Sequence, residues 1–266
     1  MVTTRPARYR IFLLTLPLGS LLTHAIFTQP VAHGLCWLSK TSKRANIKGL
    51  MMHDALKARH RAVRDTFPTN LNLRIHRSLS WLKASESTDD VDSRFIFLWI
   101  AFNAAYAVEI DDRYRTAEQE AFKEFIGKLC DLDADKKLGK LVWDAFPKAI
   151  RGLLNNRFVF ARFWDYQNGK MEESEWKDAF SAANAAAHRA VGQREVQKVI
   201  GIVLSRIYTL RNQIVHGGST FGGQVNREQL KDCTSFLSHL IPTIIEIMLD
   251  SPDTLWGEAC YPVVEA

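Results

Sequence analysis

Residues 193–218 read QREVQKVIGIVLSRIYTLRNQIVHGG, and this stretch decides the fold class. Val196, Val199, Ile200, Val203, Leu204, Ile207, Leu210 and Ile214 recur every three or four positions, the spacing that gathers side chains on one face of an α-helix. The pattern predicts one long helix from Gln193 to His216, which Gly217-Gly218 stops, because glycine takes the left-handed conformation that ends a helix.

The same period continues on both sides. Upstream, Asp54 to Thr66 reads as a polar, basic helix, and Leu71, Ile75, Leu79 and Leu82 mark a second one with Asn70 as its N-cap. Arg94 to Ile110 (RFIFLWIAFNAAYAVEI) is apolar all round, as in a central helix covered on most sides, with Asp89, Asp90 and Asp92 placed where acids favour a helix start. Thr116 and Gln119 form a capping-box pattern before the next helix. Further helices are expected at 135–146, 147–154, 158–166 and 174–191. Asn226 with Gln229 suggests a second capping box opening a last helix, which Pro242 should kink and which stops before Pro252. With no sustained alternation of period two, the fold class is all-α, a helical bundle with additional helices.

The formal charge of +6 sits in the N-terminal part. Residues 1–50 carry Arg5, Arg8, Arg10, Lys40, Lys43, Arg44 and Lys48 and no acid, so the remainder is nearly neutral and the total gives no argument for a nucleic-acid partner. Residues 1–50 read as an extension, and 51–266 as a single helical domain. Three readings of the extension stay open. The basic Arg5–Arg10 followed by an apolar run to Leu22 has the layout of an export signal over residues 1–25; translation could instead start at Met51 or Met52; an acid-poor transit segment is the third. A start at Met51 or Met52 implies a cytoplasmic protein with no membrane association. Four scattered cysteines, Cys36, Cys130, Cys233 and Cys260, fit a reducing cytoplasm and suggest no zinc site, and neither metal nor cofactor is expected.

One group of residues has the chemistry for catalysis: Arg211, Asn212 and His216, at the end of the long helix. An imidazole can move a proton at neutral pH, and a guanidinium can hold phosphate oxygens by a bidentate fork. Positions 212 and 216 share a helix face, whereas 211 and 216 lie about 140° apart around an ideal helix. They converge on one phosphate only if the last turn unwinds or a second copy of the chain completes the site. The structural alternative is a helix-end arginine beside a C-capping histidine.

Arginine, a polar residue, three further residues and histidine at the end of a helix resemble the R-x4-6-H signature of the HEPN superfamily. The segment Arg94–Tyr106, expected to pair with the motif helix, resembles the first core helix of bacterial Apea-like HEPN proteins. The likeness covers roughly 71–249. It implies a HEPN-like bundle, a homodimer, and metal-independent endoribonuclease chemistry in which a ribose 2′-OH attacks the neighbouring phosphate and leaves a cyclic phosphate. Arg211, Asn212 and His216 would be the catalytic group of a toxin-like or antiphage effector, with a protein antitoxin or regulator as a further partner. Asn103 and Tyr106 are candidate supporting residues, each weighed against a core role, and Arg206, Arg227 and Lys231 are candidate RNA-backbone contacts. The competing reading is a non-catalytic HEPN module that binds RNA, a nucleotide or a protein. The basic run Lys57–Arg64, and Arg74, His76 and Arg77, read as solvated surface.

Overall fold

The computed structural model describes residues 43–106, 115–224, 226–259 and 261, and of 43–51 and 115–121 the backbone alone. Among these the chain is all-α, without strands. Ten α-helices follow in order: α1 (Lys43–Val63), α2 (Thr69–Glu86), α3 (Val91–Tyr106), α4 (Arg115–Leu132), the short α5 (Lys137–Lys140), α6 (Pro147–Asn155), α7 (Ala161–Gln167), α8 (Glu173–Gly192), α9 (Val196–Val215) and α10 (Arg227–Asp250). The backbone of α1 crosses the boundary expected at residue 51. The signal-like segment 1–25, Cys36 and Cys260 lie outside the described residues, as do the side chains of the Thr116–Gln119 pair.

The architecture follows from two very apolar helices. No residue of α3 is exposed, and its principal neighbours are α2 on one side and α10 on the other. α10 buries thirteen residues, among them Phe236, Leu240, Ile244 and Met248, and also touches α1, α4, α5 and α6. It continues through Pro242, whose ring is buried. Among the described residues α10 alone is long and apolar enough to cross a membrane, and 67% of the relevant stretch is buried, as expected for a core helix. α9 belongs to the opposite half, packed against α4, α6 and α8.

Helix ends depart from the sequence reading where tertiary partners compete for the capping residues. Asp90 accepts from the Ser93 N–H at 2.6 Å and opens α3 as expected. Pro68, not Asn70, precedes α2; the Asn70 Oδ1 accepts instead from Ala259 N–H. Asn226 has φ 58°, and its side chain makes no cap bond, so the second capping box does not form. A reciprocal box does form at Glu172 and Glu175, opening α8.

Two stretches read as solvated basic surface contain buried cationic or polar groups. Arg74 is 1% exposed and donates to the carbonyls of Ala105 and Glu258, joining the end of α3 to the C-terminal segment. His60 is buried against Asn72 Oδ1 at 3.1 Å. Each pairs with groups far along the chain, which local composition does not reveal.

Candidate functional site

α9 carries the motif to its very end. Val199, Ile200, Val203, Leu204, Ile207 and Leu210 are buried on the face that the periodicity marks, and this fixes the rotation of the helix. Arg211 and Asn212 are thereby half-buried, and His216, the C-cap, is exposed. The last turn does not unwind. Gly217 takes φ 71°, its N–H donates to the Ile214 carbonyl at 3.2 Å, and the Gly218 N–H donates to the Gln213 carbonyl at 2.6 Å. These two bonds make a Schellman closure, which satisfies helix-end carbonyls and keeps the turn intact.

Arg211 donates from an Nη to the Asn212 Oδ1 at 2.9 Å, and its guanidinium carbon lies 5.9 Å from the centre of the Tyr208 ring. Its Nε is buried without a hydrogen-bond partner. The Asn212 carbonyl accepts the His216 backbone N–H at 3.0 Å, while the His216 imidazole makes no hydrogen bond or ion pair among the described residues. Arg211 and Asn212 are thus joined, and an intact helix keeps Arg211 and His216 turned about 140° from each other.

Gln213 is the residue that sequence reasoning passed over. Its Nε2 donates to the Phe158 carbonyl at 2.7 Å, and its Oε1 accepts from Asn226 Nδ2 at 3.0 Å. The side chain therefore ties the end of α9 both to the turn before α7 and to the start of α10. Its place one residue after Asn212 was the only available hint.

The flanking residues separate. Arg227 forms an ion pair with Asp92, and Lys231 is exposed. Arg206 is not on the surface that an RNA backbone would track: it is 4% exposed, with its guanidinium 4.5 Å from the Phe160 ring and 5.7 Å from Phe180. It falls on the buried face of α9 because helical spacing places it between Val203 and Leu210. Burial beside these rings lowers its pKa to about 10.

Asn103 has a buried Oδ1 without a partner and makes no hydrogen bond to Arg211, Asn212 or His216. Tyr106 is 6% exposed and packs on Phe102, Phe122 and Phe125, so its place is in the core. α3 does not pair with α9 along its length, because α2 and α10 occupy its faces. The link between them runs through aromatic rings, with Trp99 5.9 Å from Tyr208.

Among the described residues no group of three or more His, Cys, Asp or Glu side chains is placed to hold a metal ion. No family model, no curated protein and no solved structure matches the chain.

Proposed function

We propose that the chain is a HEPN-like endoribonuclease whose active site is completed by two copies of the protein. The observation that carries this reading is the pairing of Arg211 with Asn212 one turn before an exposed imidazole that has no engagement of its own. In this chemistry His216 takes the proton of a ribose 2′-OH as that oxygen attacks the neighbouring phosphate, the P–O5′ bond breaks to leave a cyclic phosphate and a 5′-hydroxyl that receives a proton, and Arg211 holds the charge that builds on the phosphate oxygens. Asn212 fixes the guanidinium.

Because α9 stays helical to Val215, Arg211 and His216 of one chain face different directions, and a two-fold pairing of helix ends would bring one copy's arginine to the other's histidine. Val215 and Phe221, on either side of His216 in sequence, are 50% and 77% exposed, apolar surface suited to such a contact. The substrate is RNA, and a toxin-like or antiphage role, with a neutralising or regulatory protein partner, fits such a nuclease.

The test is RNA cleavage in EDTA, with the new ends analysed for cyclic phosphate. His216→Ala and Arg211→Ala each abolish cutting, and a mixture of the two variants regains part of it, since a mixed dimer holds one intact composite site. Cutting that survives in both single variants rules the assignment out.

A further inference from the structure

A cavity of about 710 Å³ lies between α3, α4, α8 and α9, roofed by the turn before α7. Its size is that of a small-molecule site. The walls are largely hydrocarbon and aromatic: Trp99, Tyr106, Ile126 and an alanine face of α8. Four basic residues, Lys123, Arg162, Lys198 and Arg206, reach its lining, and among the described residues no Asp or Glu does. The motif residues Arg211, Asn212 and His216 take no part in it.

Arg206 makes this space more than a packing fault. It is only 4% exposed, it has no ion-pair or hydrogen-bond partner among the described residues, and its Nε is sealed from solvent. The Phe160 and Phe180 rings, whose centres are 5.2 Å apart, lie to the same side of it, and no hydrogen-bond acceptor among the described residues meets its N–H groups. A cation withdrawn from water without an anion opposes folding, so a buried guanidinium at a cavity wall is a place for a negative group to enter.

Gly201 is an independent sign that the space is kept open. It sits in the middle of α9, where alanine would favour the helix, and a Cβ added there would meet nothing within 4 Å.

We infer that this cavity binds an amphipathic anion: an unbranched hydrocarbon tail lying along α8 and α9, with a carboxylate or phosphate head on the Arg206 guanidinium. The uncharged polar side chains in the lining are few, Gln197, Ser205 and Thr209 beside the tyrosines Tyr106 and Tyr208, which suits a tail rather than a sugar.

Titration calorimetry on the full chain tests it with decanoate, decyl phosphate, decanol and inorganic phosphate, each below its micellar concentration. Both tailed anions bind one per chain and at least ~10-fold tighter than decanol, the margin a charge-assisted hydrogen bond supplies, while inorganic phosphate alone gives no heat. Arg206→Met removes that margin and leaves decanol binding as it was. Gly201→Phe, which fills the cavity from a different residue, abolishes binding of both tailed anions while circular dichroism shows the helices retained. Decanol binding as tightly as decanoate overturns the proposal, as does an undiminished anion affinity in either variant; inorganic phosphate binding as well as decyl phosphate removes the tail from it. None of these outcomes depends on RNA cleavage.

Discussion

Gln213 holds Asn226 at 3.0 Å across the loop between α9 and α10, and with its other amide atom holds the Phe158 carbonyl at 2.7 Å. One side chain on the motif turn thus fixes two neighbouring segments, and the catalytic geometry proposed above rests on it. Gln213→Ala removes both bonds and costs ~1 kcal/mol, because much of each bond is replaced by water at this half-exposed position. The expected result is a small fall in the denaturation midpoint with a larger fall in kcat for RNA. An unchanged kcat would show that the turn needs no such brace.

Gly217, at φ 71°, closes the motif helix in a conformation that costs an L-residue with a Cβ roughly 1 kcal/mol. Gly217→Ala therefore destabilises by about that amount, and Gly217→Asn by less, since asparagine tolerates the left-handed region. Urea midpoints of the three proteins should rank glycine, asparagine, alanine. A reversed order would mean that the turn is not held as described.

Arg227 and Lys231 differ in what their removal should do. Arg227 is committed to Asp92, whose side chain is only 11% exposed, so Arg227→Ala leaves a nearly buried carboxylate without its partner and costs about 2 kcal/mol of stability. Lys231→Ala leaves stability unchanged. If Lys231 contacts RNA, the salt dependence of binding falls by roughly one phosphate contact. Thermal melts and binding isotherms at several salt concentrations separate the two effects.

Glu86 introduces a pH dependence away from the motif. Burial raises its pKa from the usual glutamate value to about 7, against a smaller opposing contribution from the His53 backbone N–H. The folded chain favours the protonated acid, so this contribution to stability is complete below the unfolded value near 4.5 and is lost as pH rises through about 7. Glu86→Gln keeps the neutral form at every pH. It should match the parent at pH 4 and exceed it by ~1 kcal/mol at pH 8, a figure reduced to allow for the water that still reaches the group. Equal gains at both pH values would point to packing rather than charge.

The helices were legible in the sequence because burial leaves a periodic trace: of the eight apolar positions marked in 196–214 the structure buries six, with Val196 and Ile214 partly covered at the ends, and the uniformly apolar stretch from Arg94 is the helix with no exposed residue. Capping was less legible. Asn70 and Asn226 have the right side chains for helix starts, but Ala259 and Gln213 claim them from distant parts of the chain. Cations misled for the same reason. Arg74 sits in a stretch that looks like surface, and Arg206 is a cation at apolar spacing in α9; only the packed chain shows that one meets backbone carbonyls and the other two phenyl rings. The motif triplet could be picked out by residue type, and its closure by Gly217-Gly218 agrees with the expected helix stop. The intact last turn, which leaves Arg211 and His216 diverging, is visible only in the backbone hydrogen bonds. Gly201, within the apolar run Val199–Leu204 of a long helix, was a sign of the cavity that could have been read beforehand.

α10 is the last of the ten helices to leave the ribosome, yet it is the pillar on which α1, α2, α3, α4, α5 and α6 all lean. A nascent chain that has not yet delivered residue 250 has greasy helices and nothing central to close them on. The motif turn, tied through Asn226 to the head of that pillar, then lacks its anchor as well. Synthesis would thus postpone the closing of the bundle and of the motif turn until residue 250 has been delivered.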